Sequence, residues 1–400
     1  MLDSSGFLSF EFGNVDAVKT SAPFETFDPL VTEFLSDLSL EILSSKKSKE
    51  FPDLVSFAFW CRPSNLSFIK SQYSLSEIRI GLGKVLHITP RNVPMNFAFS
   101  WALSALAGNC NFVKLPSNEY PQIQFFLDIF SKVSKAPKHS SVGNATLFFR
   151  TNHSSEFIRL VSSFCEARII WGSDKTISEF KLIKAPPRTF DLSFPSRISV
   201  SVISGQEFLD SSQLDQEQLV KRFLQDSMTF GQRGCSSPRM VFWVGDLEAY
   251  LKAKEKFWGL ARTFATKFLQ MADAFERLSH LCIASTMIDE LSDFSCSIFE
   301  PFIVLDKLDG SKINLESILS LGTFLEHRVD NCKEIFTNLN KNLQTITYFG
   351  VDTQDLLQAV KNLGFLGVDR IVPFGTAFEM SSIWDGVDTI RSLSRVIDIR

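Results

Sequence analysis

The chain is poor in the groups that build metal centres and disulfide frameworks. It has 5 histidines, and its 7 cysteines, Cys61, Cys110, Cys165, Cys235, Cys282, Cys296 and Cys332, are scattered. None forms a CxxC pair or a Cys/His cluster of zinc spacing, so no metal site is expected. An odd, dispersed set suits reduced thiols in a cytoplasm better than a disulfide framework. Charge of one sign is also missing. With 41 basic and 45 acidic residues the formal net charge is -4, which gives no electrostatic case for nucleic acid or an acidic membrane surface. The opening MLDSSGFLSFEFG lacks a basic segment ahead of an apolar one, which argues against a secretory signal. No short repeat or low-complexity linker is present. No GxGxxG falls on a strand-to-helix turn, since Gly81-Leu82-Gly83 precedes a strand.

One uncharged run, Asn92 to Val113, is about long enough to cross a bilayer. Its asparagines, Pro94, Gly108 and small central residues instead predict a helix buried between a parallel sheet and another domain, so no membrane span is expected.

The remaining pattern is that of an α/β protein. Four hundred residues exceed what one core usually serves, so two domains are expected. In the first half KVLHIT, NFVKLP, ATLFFRT and ARIIWG read as strands. Tyr120 to Val133 and Ser154 to Cys165 read as helices between them. This alternation predicts parallel βαβ units and a nucleotide-binding sheet whose ligands sit at the strands' carboxyl ends. The second half continues with a helix over Gln213 to Met228, the strand MVFWVG, a helix over Asp246 to Arg277, and later strands FIVLDKL and LQTITYFG. The expected division is 1–204 (with 1–80 poorly defined), 205–375 and a C-terminal piece 376–400, the boundary lying in Ser204 to Gln216.

Chemistry concentrates at few places. FGQRGCSSPR, Phe230 to Arg239, puts Cys235 on a glycine-flanked loop between helix and strand. A nucleophilic thiol needs an exposed sulfur and backbone donors nearby, whereas a buried cysteine is an inert apolar filler. Asn92 follows the strand KVLHIT directly. Its side-chain amide suits an oxyanion donor, and capping the next helix is the commoner use of such an asparagine. In WGSDKTI, Gly172 and Ser173 are placed to offer amides to a pyrophosphate at a helix N-terminus. Ser173 is equally suited to be a plain helix cap.

These segments together resemble a known family. ITPRNVP, LAGNCNFVKLPS, IIWGSDKTI, FGQRGCSSP, LQTITYFG and GVDRIVPFGTAFEMSSIWDG look like the LuxC family of fatty-acyl reductases, in order from about Gly81 to the C-terminus. That family is in turn similar to the aldehyde dehydrogenase superfamily. The resemblance implies an aldehyde-dehydrogenase-like fold, with a Rossmann-type cofactor domain and an α/β catalytic domain. It implies NADPH-dependent reduction of a fatty-acyl thioester, from acyl-CoA or an acylated partner protein, to an aldehyde, and a homo-oligomer. On the matching positions, Cys235 would be the nucleophile, and the Asn92 side chain with the Cys235 amide would hold the oxyanion. Thr89, Pro90, Lys114, Ser117, Gly172 and Ser173 would line the cofactor.

Departures from the superfamily pattern carry information. The glutamate that activates hydrolytic water in aldehyde-oxidising relatives has no counterpart in SFPSRIS, Ser193 to Ser199, which suits a reductase. Leu115 stands where those relatives carry a lysine directly before Pro-Ser, and Lys114 precedes it. The relatives' second glutamate aligns with Ser297, with Glu300 nearby. Two other readings are compatible with the same residues. One is an acyl-transfer protein that never moves a hydride, and the other a scaffold that has lost its chemistry.

Overall fold

The computed structural model describes residues 7–73, 77–152, 155–265, 294–307, 322–337 and 339–399. The chain divides into two compact units, Met1–Pro195 with Met380–Arg400, and Ser196–Glu379.

In the first unit lie β1 (Leu8–Phe12), β2 (Arg79–Gly81), β3 (Lys84–Ile88), β4 (Cys110–Lys114), β5 (Thr146–Thr151), β6 (Ala167–Trp171) and β7 (Phe190–Phe194). Six of these form one sheet in the order β1-β5-β4-β3-β6-β7. All its pairs are parallel except β1 with β5. Both β4 and β6 are buried at every position, as strands covered on both faces must be, so they read as near-continuous apolar runs.

The helix Asn96–Leu106 is buried from Phe97 to Leu106. Within its own unit it packs against the helices Pro29–Ser44 and Thr389–Ser392. Trp101 meets Phe34 edge-on at 5.9 Å and Phe130 at 5.0 Å. The helix Pro121–Ser134 brings Phe126 and Phe130 to the same cluster, against Phe97 and Phe148. Such edge-to-face pairs add about 0.5–1.5 kcal/mol each beyond area burial. These rings form one aromatic layer in the first unit. Among the described residues no helix is long and apolar enough to cross a membrane.

Beneath that layer is a closed polar chain. The His87 ring hydrogen-bonds Ser100 Oγ at 2.9 Å through Nδ1 and Asn111 Oδ1 at 3.0 Å through Nε2. Asn111 Nδ2 donates to the Asn109 carbonyl, which fixes Oδ1 as acceptor. His87 Nε2 therefore carries the proton, and Nδ1 accepts from Ser100, whose oxygen accepts the Trp171 indole N–H at 3.2 Å. The C-terminal segment belongs to this unit. It forms the small hairpin β15 (Ile383–Trp384) and β16 (Val387–Asp388), and β17 (Ser394–Val396) pairs antiparallel with β2.

The second unit holds β8 (Ile198–Ser204), β9 (Pro238–Val244), β10 (Phe294–Phe299), β11 (Phe302–Lys307), β12 (Thr323–Val329), β13 (Leu343–Phe349) and β14 (Arg370–Pro373). Their order is β10-β11-β12-β9-β8-β13-β14, parallel except for the β10–β11 hairpin. One face is covered by the helices Gln213–Met228 and Leu247–Phe264, through Val220, Phe223, Phe257 and Trp258. The other is covered by Cys332–Ile335 and Thr353–Leu363, through Ile335, Leu356 and Ala359. Because β8 lies between β9 and β13, the boundary falls at Pro195/Ser196, ahead of the expected 204/205, and the unit runs to Glu379 rather than 375. The helix expected to reach Arg277 is seen to Phe264, and the residues from 266 to 293 lie outside those described.

Candidate active site

In the first sheet the chain runs from β3 to β4 and β5 on one side, then returns to β6 and β7 on the other. The carboxyl ends of β3 and β6 thus flank the topological switch point, where open α/β sheets bind ligands. Thr89, Pro90 and Asn92 follow β3, and Gly172 and Ser173 follow β6. Thr89 is buried and donates its hydroxyl to the Lys114 carbonyl at 2.6 Å, tying the ends of β3 and β4. Asn92 is half-buried in the following turn. It does not take the capping position, which belongs to Met95 and carries no side-chain cap.

Ser173 does cap. Its Oγ accepts the Thr176 amide at 3.2 Å at the start of the helix Asp174–Lys181. The Gly172 amide donates to the Phe194 carbonyl at 3.2 Å. This corrects the expectation that Gly172 offers its N–H to a phosphate, because the strand ladder continues through that residue. Its glycine character has a steric reason, since a Cβ there would lie 2.9 Å from Thr176 Cγ2.

Lys114 ends β4 and is 2% exposed. Burial, reinforced by the neighbouring Arg150 charge, pushes its ammonium down to about 8. Among the described residues no carboxylate pairs with it. Leu115 continues the strand edge by donating its N–H to the Phe149 carbonyl at 2.8 Å, and Ser117 is exposed beyond it.

In the second unit the FGQRGC segment folds tightly. Phe230, Gly231 and Gln232 all have positive φ, of 59°, 62° and 62°. Gln232 is held in that conformation by its own buried side chain. Its Nε2 donates to the Pro238 and Thr323 carbonyls at 3.2 Å each, and its Oε1 accepts the Gly322 amide at 3.0 Å. A turn follows, closed by the Ser237 amide on the Gly234 carbonyl at 3.1 Å, which presents Cys235 half-buried at its corner. Ser199 Oγ donates to the Cys235 carbonyl at 2.7 Å. Gln344 Nε2 lies 3.4 Å from Cys235 Sγ, and Gln344 Oε1 accepts from Ser236 Oγ at 2.9 Å. Burial pulls the Arg239 guanidinium below its ordinary value, and the charge of Cys235 opposes that drop.

The VPFG segment reaches the same loop. A Cβ on Gly234 would lie 2.7 Å from the Phe378 ring, which meets Phe230 edge-on at 5.4 Å. Asp226, in the last turns of the Gln213–Met228 helix, accepts the Gly375 and Ala377 amides at 2.6 and 3.0 Å. Burial raises its carboxyl to about 6. Arg370 donates to the Ala377 and Glu379 carbonyls.

The structure therefore gathers Cys235, the residues expected around it and the late VPFG motif in one unit, while Asn92 and the cofactor candidates belong to the other. Sequence reasoning missed Gln344, Ser199, Arg239, Asp226 and Phe378. Ser297 sits in the hairpin strand β10, and Glu300 is exposed at its turn. Among the other described cysteines, Cys61, Cys110, Cys165 and Cys332 are buried. Burial pushes Cys110 and Cys332 up to about 11 and Cys165 to about 12. Cys61 and the exposed Cys296 are also raised by desolvation. Among the described residues no group of His, Cys, Asp and Glu could hold a metal ion.

Comparison with solved structures places the fold among aldehyde dehydrogenases. Aldehyde dehydrogenase 21 of Physcomitrella patens, solved with the product succinate, superposes with a TM-score of 0.65 at 12% identity, over 96% of this chain and 88% of that one. The NAD-dependent benzaldehyde dehydrogenase of Corynebacterium glutamicum gives 0.62 at 11% identity, over 93% and 85%. A mutant aldehyde dehydrogenase C of Pseudomonas syringae, in complex with NAD+ and octanal, gives 0.62 at 12% identity, over 92% and 84%. Comparison with curated protein sequences yields no match. The model of the acyl-CoA reductase (LuxC) family matches residues 53–396, and the chain belongs to that family.

Proposed function

We propose that this member of the acyl-CoA reductase family reduces a fatty-acyl thioester to the aldehyde with NADPH, through an acyl group carried on Cys235. The observation that carries the reading is the Cys235 turn. Its sulfur is half-buried beside a side-chain N–H and near a guanidinium, while burial or desolvation holds the other described cysteines toward the thiol form. A sulfur so placed is suited to attack.

In this reading Cys235 sulfur adds to the thioester carbonyl. The bond from that carbon to the donor sulfur breaks, and the donor leaves as a thiolate that takes up a proton. The Cys235 amide is a donor to the oxygen while it is negative, and the family resemblance gives the Asn92 side chain the role of a second donor. NADPH, when bound, would supply the hydride to the acyl carbon, and the bond from that carbon to Cys235 sulfur would then break to release the aldehyde and return the cysteine thiolate. The residues present fit this cofactor. Thr89, Pro90 and Ser173 stand at the switch point. Lys114, a buried cation beside Arg150 with no carboxylate partner among the described residues, suits an added phosphate. Ser193 to Ser199 contains no acid to activate water, so the acyl group on Cys235 should persist until it is reduced. The acyl donor is acyl-CoA or an acylated partner protein, and the protein acts in the cytoplasm as a homo-oligomer.

The test follows NADPH absorbance with tetradecanoyl-CoA for the wild type and Cys235→Ser, repeated with NADH. Consumption that requires the thioester and disappears in the variant is expected. A stable acyl adduct on Cys235 without NADPH consumption would replace the reductase by an acyl-transfer protein.

A further inference from the structure

We infer that Gln344 is a positioning residue for the nucleophile, a buried amide whose N–H stabilises Cys235 sulfur as an anion. The inference rests on the reading of Cys235 as nucleophile and adds to it the group that sets the reactivity of the sulfur.

Gln344 is the second residue of β13 and is fully buried. A buried glutamine needs partners for both ends of its amide. The oxygen end is occupied. Oε1 receives Ser236 Oγ at 2.9 Å and Thr345 Oγ1 at 3.3 Å, and a carbonyl oxygen has two lone pairs for two hydroxyl donors. The nitrogen end is thereby turned to Cys235 Sγ, at 3.4 Å, a distance suited to a hydrogen bond to sulfur.

The lock is local and reciprocal, because Ser236 is the neighbour of Cys235 in the same turn. Ser199 fixes the turn from the other side, accepting the Thr345 amide at 3.3 Å while donating to the Cys235 carbonyl. Strands β8 and β13, paired in parallel, thus hold the backbone of Cys235 through Ser199 and its sulfur through Gln344. The Arg239 guanidinium on β9 couples electrostatically to Cys235, and its attraction acts in the same sense.

An N–H to sulfur strengthens when sulfur is negative. That occurs twice in the proposed cycle, before attack and again when the C–S bond to the product breaks. The same bond therefore favours both the attacking thiolate and the departing one.

The experiment measures the pH profile of Cys235 alkylation by iodoacetamide, by peptide mass spectrometry, in the wild type, Gln344→Met and Gln344→Glu. Met keeps the length and removes the donor, and Glu replaces the donor by an acceptor that still receives Ser236. We expect the midpoint to rise in both variants, with alkylation at neutral pH falling about tenfold in Gln344→Met and further in Gln344→Glu. A midpoint unchanged in the folded variants, or lowered as it would be if the amide carbonyl faced sulfur, overturns the inference. If Gln344→Met does not fold, Gln344→Glu and Ser236→Ala decide it, the latter by a smaller upward shift. The readout needs neither substrate nor cofactor. Shifted alkylation without any NADPH consumption would remove the reductase reading and leave the role of Gln344 intact.

Discussion

Lowering the pH should weaken the first unit through His87. The ring is fully buried and neutral, with its value held down to about 4 from 6.5, chiefly by burial. Its hydrogen bonds explain why a second proton finds no place. Ser100 Oγ already accepts from Trp171 and donates to Nδ1, so protonating Nδ1 sets donor against donor. Folding favours the neutral form, so this stability is complete above the unfolded value and is lost as the pH falls toward the native one. Integrating the linkage relation between these two values gives a loss of about 2 kcal/mol at pH 5 and about 3 kcal/mol at pH 4. Hydrogen exchange of the peptides spanning β3, compared between the wild type and His87→Gln, isolates the effect. The opening free energy of the wild type should fall relative to the variant by about 2 kcal/mol between pH 7 and pH 5. A difference that stays constant across that range, or grows in favour of the wild type, would refute the argument. Trp171 directly precedes Gly172 and Ser173, so the same protonation should weaken NADPH binding over the same range.

Two further outcomes follow from single contacts. Gly234→Ala places a methyl group 2.7 Å from the Phe378 ring, and displacing the Cys235 turn should lower reductase activity roughly tenfold or more. Phe378→Ala in the same chain should restore much of that activity if the clash is the cause. Lys114→Met should raise KM for NADPH more than for NADH, measured by initial rates. Because burial pushes the Lys114 ammonium down to about 8, any preference for NADPH over NADH that it confers should shrink as the pH rises through that value. Equal effects on both cofactors would remove Lys114 from phosphate recognition.

What could be read from sequence was what is encoded locally. The first sheet announces itself because β4 and β6 are buried on both faces and therefore apolar throughout. The helix Gln213–Met228 matches its expected bounds because Ser212 caps it and its apolar residues recur at helical spacing. The domain boundary was misplaced because β8 joins the second sheet through partners far along the chain, β9 and β13. An apolar helix shows that it is buried but not what buries it. Cys235 was legible from its glycines, whereas Gln344 lies 109 residues away and touches it only through strand order. Its one local signal is a long polar side chain near the start of the otherwise β-branched and aromatic strand LQTITYF.

That position has a physical logic. The cofactor candidates follow the carboxyl ends of strands in the first sheet, whereas Cys235 sits at the amino-terminal edge of the second. The groups that fix its turn come from the opening residues of successive strands, Ser199 on β8, Pro238 on β9, Thr323 on β12 and Gln344 on β13. At that edge the ladder is only beginning, and backbone carbonyls such as those of Pro238, Thr323 and Cys235 still need donors. Side-chain hydroxyls and amides meet the need, so polar residues are tolerated there that would be costly one turn of the pleat further in. The turn thus gains fixed donors for its backbone, and one N–H at its sulfur, from a requirement of the sheet itself. These groups are neutral donors with Arg239 nearby, a setting suited to holding an acyl group on Cys235 without delivering water to it.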